Sequence, residues 1–293
     1  MKIASVGECM VELRRLPNGT YARGFGGDTL NTAIYLTRLG CAVDYITALG
    51  DDAWSDEMLA AWAAEGVGTG QVRRMAGRLP GIYIIETDQK GERRFLHWRK
   101  EAPARELFST DQAPDFAGYD LIYFSGITLS LYGEAGRAQF MARLQAVQAK
   151  GARLAFDTNY RPRNWRSPEE AGAAFQQALA LADFVFAAVD DITPIFGTKG
   201  VRDFAPAAEV IVKLTEPACL IDIDGIETTV RATPVAQVVD TTAAGDSFAA
   251  AYLAARMQGK SALDAAEAGH ALAGLVVQHP GAIIARDKMP KPA

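Results

Sequence analysis

Short apolar runs alternate along this chain with helical patterns that stop at glycine, and few folds accommodate that alternation. Residues 3–7, 43–49, 121–125, 154–157, 184–187 and 210–214 carry the continuous hydrophobicity of strands buried on both faces. Between them the spacing predicts helices over 30–39, 54–64 and 136–149, ended by Gly40, Gly66 and Gly151, and over 169–181, opened by Pro168. Two Ala-rich helices, over 245–257 and 262–278, follow late in the chain. Strand and helix in turn imply an α/β fold: a mainly parallel sheet covered by helices on both faces, with ligands gathering beyond the carboxyl ends of the strands. Residues from about 10 to 23 and from about 78 to 99 break the rhythm. They read as strands separated by turns, with Asp88-Gln-Lys-Gly91 a hairpin turn, and predict a small β-sheet lid on one main domain spanning 1–293.

Charge and composition narrow the function classes. With 30 basic against 35 acidic side chains the net charge is −5, which offers no basic surface for nucleic acid. No apolar stretch approaches the length of a membrane span, and the chain enters its first strand without a charged leader. Cys9, Cys41 and Cys219 are scattered, as suits a reducing compartment, so a cytoplasmic location is expected. His97, His270 and His279 are too dispersed to mark a zinc site by spacing. The densest basic run, Arg93, Arg94, Arg99 and Lys100, is interleaved with Phe95, His97 and Trp98; it reads either as the lining of a small-anion site or as a solvated edge.

Three segments carry candidate chemistry. Asp240-Thr-Thr-Ala243-Ala244-Gly245-Asp246 leads into an apolar helix. Small residues let a phosphoryl group approach the backbone N–H donors, the helix start adds partial positive charge, and the Asp246 carboxylate can take a proton from an attacking hydroxyl. The same residues also fit a tight turn into a buried helix with a favourable acid in its first turn. Gly24-Phe-Gly26-Gly27-Asp28-Thr-Leu-Asn31 puts glycines of unusual conformational freedom before acceptors and a donor suited to sugar hydroxyls, or else is a glycine turn before an Asp-capped helix. Neither the dinucleotide-binding spacing nor a P-loop is present. Phe156-Asp157-Thr-Asn159-Tyr160-Arg161 ends a predicted strand with an arginine suited to a carboxylate or phosphate, or else with an Asx-type turn.

Gly26-Gly27 with Asn31, together with Asp-Thr-Thr-Ala-Ala-Gly-Asp near the C-terminus, resembles the two signatures of the ribokinase-like (PfkB) carbohydrate kinases. Within that family, Gly7-Glu-Cys-Met-Val-Glu12, Arg78-Leu-Pro-Gly-Ile-Tyr83, Asn159-Tyr-Arg-Pro-Arg163 and Gly281-Ala-Ile-Ile284 look more narrowly like the 2-keto-3-deoxygluconate kinases. The resemblance implies a three-layer ribokinase-like fold and ATP and magnesium as cofactors. It implies Asp246 as general base, Ala243, Ala244 and Gly245 as the anion hole, and Gly27, Asp28, Asn31, Tyr83, His97, Arg99 and Arg161 around an acid sugar. It further implies Asn159, Arg161, Lys213, Thr215 and His270 near the nucleotide and Asp191 near the metal; the exposed edge of the lid sheet, for its part, predicts a homodimer or higher homo-oligomer formed through the lid. A 2-keto acid needs an anion receptor that a neutral sugar does not, and two arginines favour the acid. A neutral-sugar kinase and a non-catalytic sugar sensor remain the alternatives.

The chain departs from the family pattern in three places. His97 stands where relatives often have tyrosine, and an unperturbed imidazole there would make binding pH-sensitive near pH 6 to 7. Ala188-Val-Asp190-Asp191 replaces the usual N-x-x-E, and Lys213-Leu-Thr-Glu-Pro217-Ala218 replaces a glycine-bearing nucleotide loop.

Overall fold

The computed structural model describes residues 1–16, 18–87, 93–109, 113–197 and 200–290. Its strands are β1 (Lys2–Val6), β2 (Met10–Arg15), β3 (Tyr21–Gly26), β4 (Ala42–Ile46), β5 (Ala48–Gly50), β6 (Arg73–Met75), β7 (Ile82–Thr87) and β8 (Arg93–Trp98). The second part of the chain adds β9 (Leu121–Ser125), β10 (Arg153–Asp157), β11 (Phe184–Ala188), β12 (Glu209–Lys213), β13 (Ala218–Ile223) and β14 (Ile226–Arg231). The helices are α1 (Asp28–Arg38), α2 (Ala53–Ala64), α3 (Gly126–Leu131), α4 (Glu134–Gln148), α5 (Pro168–Leu181), α6 (Val189–Phe196), α7 (Ala244–Met257) and α8 (Ala262–Val276).

An 8-stranded sheet runs in the order β14-β13-β12-β11-β10-β9-β1-β4, parallel from β4 through β12. Each central strand is buried on both faces, and alternate residues feed two cores. Leu121, Tyr123, Ala155 and Phe186 pack on one side with Tyr35 of α1, Trp62 of α2 and Phe248 and Tyr252 of α7. Ile122, Phe124, Leu154 and Phe156 pack on the other with Phe140 of α4 and Phe175 of α5. The three layers follow from this alternation, since each face of the sheet is apolar and must be covered.

The predicted run 43–49 divides into β4 and β5, and β5 pairs with β6 in a separate two-stranded sheet. The hairpin β13–β14 extends the large sheet antiparallel. Its turn is Asp224-Gly225, both with positive φ (52° and 80°), the conformation a two-residue hairpin demands. It escaped the sequence pattern because β14 is exposed at every position but Val230, leaving almost no apolar alternation to read.

The segments expected to form a lid make a 4-stranded sheet in the order β3-β2-β7-β8, with β2 and β7 parallel and both outer pairs antiparallel. The expected turn 88–91 lies outside the described residues. β3 continues to Gly26, so Gly24 and Gly26 are strand residues rather than parts of a turn. The lid is moored beside the carboxyl end of β1, where Arg99, after β8, pairs with the buried Glu8.

Candidate active site

The segment before α7 is held by one buried carboxylate. Asp240 Oδ1 accepts the backbone N–H and the hydroxyl of Thr242 (2.9 and 2.6 Å), and its Oδ2 accepts the N–H of Gly281 (2.9 Å). Ala243 then takes the left-handed conformation (φ 62°, ψ 15°), which a methyl side chain tolerates better than a branched one, and α7 starts. The N–H of Ala244 donates to Thr241 O (3.2 Å), so the N–H expected from Ala244 is already engaged; Gly245 lies next in the helix's first turn. An added Cβ at Gly245 would stand 3.3 Å from Lys213 Nζ, so the glycine leaves space for the lysine at the turn.

Carboxylates converge on this helix start. Asn31 Nδ2 donates to Asp246 Oδ2 (2.8 Å), bringing the two sequence signatures together. Asp28 Oδ2 accepts from Ser125 Oγ (2.6 Å) and Asn159 Nδ2 (2.7 Å), which ties α1 to the ends of β9 and β10. Asn159 itself has φ 27°, a turn asparagine tolerates, and its N–H donates to Asp157 Oδ1 (3.2 Å). Lys213 Nζ donates to Asp157 Oδ2 (3.0 Å) and Oδ1 (3.2 Å). Burial and then the charge of Asp28 push the Asp246 carboxyl up to about 8, against the hydrogen bond from Asn31 and the charge of Lys213. Burial likewise raises Asp157, with Lys213 opposing it. A carboxyl so placed is a stronger base once ionised than a solvated one.

Behind the turn lies an apolar cavity of about 480 Å³, whose lining includes Lys213, Leu214, Pro217, Val235, Phe248 and His270. Burial keeps His270 neutral, and its Nε2–H donates to Val230 O (3.1 Å). Thr215 does not line this cavity and is exposed, whereas Glu216 and Pro217 of the same bend, also exposed, lie along its wall.

Asp191, in the first turn of α6, accepts from Thr158 Oγ1 (2.9 Å) and stands 3.9 Å from Arg161 Nη1. Among the described residues no group of three or more His, Cys, Asp or Glu side chains is placed to hold a metal. A lone carboxylate fits a magnesium ion held mainly by phosphate oxygens and water, not one caged by protein.

On the lid side Tyr83 stacks on His97 (5.7 Å between ring centres, 20°) and donates its hydroxyl to Glu12. A Cβ at Gly26 would strike the Tyr83 hydroxyl, and one at Gly27 would strike the Glu8 carbonyl oxygen. Gly27 has φ −174°, extended backbone open to any residue, so close approach rather than conformational freedom is what glycine supplies here. Two expectations also change. Burial, then the charges of Arg163 and Arg99, drive His97 down to about 4, so it is uncharged at pH 6 to 7. The two arginines expected around one anion diverge: Arg99 pairs with Glu8, while Arg161 Nη1 donates to Tyr160 O (2.8 Å) and faces Asp191. Glu8, Arg105 and Arg163 join the lid-side cleft without having been singled out individually; Glu8 and Arg163 stood inside quoted blocks, but no spacing signals that they meet.

The pattern of the pfkB family carbohydrate kinases matches residues 1–289. The chain belongs to the pfkB family of carbohydrate kinases. A 2-dehydro-3-deoxygluconokinase of Escherichia coli (strain K12) is 43% identical to it, with 99% of each chain covered. Among solved structures, a 2-dehydro-3-deoxygluconokinase of Thermotoga maritima has a TM-score of 0.87 at 23% identity, covering 97% of this chain and 94% of that one. A fructokinase with bound ATP from Xylella fastidiosa has a TM-score of 0.85 at 23% identity, covering 99% and 95%. In this pfkB kinase the ribokinase-like fold thus joins Asn31 to Asp246, Asn159 to Asp28 and Lys213 to Asp157, while Tyr83 stacks on His97 and Arg99 pairs with Glu8.

Proposed function

We propose that this chain is a 2-dehydro-3-deoxygluconokinase that moves the γ-phosphoryl group of ATP to the terminal hydroxyl of 2-keto-3-deoxy-D-gluconate. The observation that carries the reading is Asp246 at the head of α7, held through Oδ2 by Asn31 and beside a turn of small residues. Its Oδ1 has no hydrogen-bond partner among the described residues and is the atom that takes the hydroxyl proton as the oxygen attacks phosphorus. The first-turn N–H groups, Gly245 among them, and Lys213 stabilise the charge on the transferring phosphoryl oxygens. The apolar cavity behind the turn suits a nucleotide base, and Asn159 and Arg161 lie toward its phosphates. Asp191 would hold magnesium through water, and the ion would neutralise phosphate charge. Gly27, Asp28, Asn31, Tyr83, His97 and the lid arginines surround the sugar. The likeness to the Escherichia coli kinase over nearly the full chain supports the acid sugar as substrate.

The catalytic domain is taken to span 1–293 with its lid as an appendage. Leu79 and Trp98, 62% and 58% exposed, leave apolar surface on the lid, which supports pairing of two lids in a homodimer. All three cysteines are free thiols, consistent with a cytoplasmic location. ADP release from Mg-ATP with 2-keto-3-deoxygluconate, fructose, ribose or no sugar tests the activity. Turnover strongest with the keto acid is expected; preference for a neutral sugar, or silence with every sugar, overturns the reading. Light scattering at twice the chain mass is expected for the dimer.

A further inference from the structure

Asp157 closes β10 with its side chain 3% exposed, and both of its oxygens accept from Lys213 Nζ (3.0 and 3.2 Å). The two residues lie on strands separated by β11, where Asp157 is in register with Phe186 and Lys213 with Ala188. Lateral neighbours share a face of the sheet, so the lysine leans across β11 beside Ala188, a side chain of one methyl group. Asp157 Oδ1 also accepts the N–H of Asn159 (3.2 Å), so one buried carboxylate fixes both the lysine and the turn after β10. A lysine at this place needs holding. Its Nζ stands 3.3 Å from where a Cβ on Gly245 would lie, in the first turn of α7, and the partial positive charge of a helix start repels an ammonium. The stem is flexible and the side chain is 24% exposed, so an ammonium without its partner would move to water. A buried pair adds little net stability, because desolvating two charges offsets their attraction; what it supplies here is location. An ammonium has three donors, and among the described residues two are directed to Asp157, leaving one at the head of α7.

We propose that Asp157 is a positioning residue for phosphoryl transfer, which holds the Lys213 ammonium at the head of α7 so that its remaining donor meets the transferring phosphoryl group there. The proposal rests on the kinase function above and adds a residue that acts through Lys213 rather than on the substrate. If Lys213 left Asp157 to follow the phosphates of bound ATP, it would strand a carboxylate that is almost wholly buried. The ammonium therefore stays tethered at one point. A fixed charge favours the state in which negative charge builds up at that point, so it stabilises the transition state more than the bound nucleotide. Releasing the tether should accordingly lower kcat and leave KM for ATP little changed.

The test measures ADP release with saturating 2-keto-3-deoxygluconate and varied Mg-ATP for wild type, Asp157→Asn, Lys213→Met and the double variant. An assay at about pH 9 keeps Asp246 mostly ionised, since its carboxyl is held near 8. Asparagine keeps the shape and an oxygen for the Asn159 N–H, and removes only the charge that holds Lys213. Asp157→Asn is expected to lower kcat about 10- to 100-fold, the scale for a misplaced catalytic group, with KM for Mg-ATP within about threefold of wild type. Lys213→Met should lower kcat at least as far. In the Lys213→Met background Asp157→Asn should change kcat by less than about twofold, because no ammonium is left to place. A residue serving only the fold would lower kcat by a like factor in both backgrounds, and that result overturns the proposal. So does near-normal kcat in Asp157→Asn or in Lys213→Met, or a loss carried by KM for Mg-ATP instead of kcat. The comparison of Lys213→Met with the double variant decides the matter even where Asp157→Asn alone fails to fold, because the double variant carries neither charge. In each of these cases the kinase reading stands. Silence of the wild type with every sugar defeats that reading, and the proposal with it.

Discussion

At one end of the cleft Asp28, Asp157 and Asp246 gather negative charge around Asn31, Asn159, Ser125 and Lys213; at the other, His97, Arg99, Arg105 and Arg163 surround an open pocket with a positive excess. The acidic end is built from short side chains whose hydrogen bonds are nearly all made inside the protein, so little reorganisation is left for the reaction itself. The basic end is built from long side chains that leave donors free, so it is completed by what binds. The two ends should respond differently to substitution.

The largest effect is expected at the acidic end. Asp246→Asn keeps the shape and removes the proton acceptor, so kcat should fall by about 10² to 10⁴ in the ADP-release assay, with KM for the keto acid little changed. Near-normal turnover in that variant would abolish the contrast, because the phosphoryl end would then need no base.

Between the two ends, Gly27→Ala adds a Cβ against the backbone of Glu8. Overpacking there should cost about 1 to 3 kcal/mol and lower Tm by several degrees, since backbone cannot rotate away as a side chain can. The same change at Gly70, where nothing lies within 4 Å, serves as the neutral comparison in the same calorimetric scan.

A third effect concerns pH. Asp246 must be ionised to act, and its carboxyl is held near 8 by burial and by Asp28. In wild type kcat/KM should therefore fall as pH drops below about 8. Asp28→Asn removes one raising charge, so the acid limb should move to lower pH whatever happens to its height. A limb that stays in place would uncouple the two carboxylates.

A further effect is on stability. The folded-state pKa of Asp246 lies above its unfolded value of 3.8, so its contribution is present below that value and is lost as pH rises through about 8. Asp246→Asn escapes the loss. The variant should melt with wild type near pH 4 and above it at pH 8, and equal melting at both would mean that ionising this carboxyl is not a burden on the fold.

How much of this could be read in advance differs between the two ends. Asp240 to Asp246 is contiguous, and a left-handed Ala243 before a helix is a local feature, so the turn into α7 was legible. Gly27 was legible as important, though for the wrong reason, since the Glu8 carbonyl that forbids a side chain comes from another segment. His97 was expected to titrate near neutrality; the neighbours that suppress its charge, Arg99 and Arg163, are unrelated to it by any periodicity that sequence displays. Thr215 was expected at the nucleotide and is exposed, outside the lining of the apolar cavity. The strands β9 to β12 were legible because burial on both faces writes a continuous apolar run, whereas the exposed β14 writes none.

By itself, then, the sequence determined the layered α/β architecture, the helix start bearing Asp246, and the presence of an N-terminal glycine segment and a C-terminal small-residue turn, because each depends on residues close together in the chain or on regular spacing. Tertiary structure alone decided which charges meet. Arg99 meets Glu8, Lys213 meets Asp157 and Arg161 turns toward Asp191, while Arg105 and Arg163 line the pocket beside β8. Ion pairing is a short-range interaction between side chains far apart in sequence, and only the folded backbone brings them within reach.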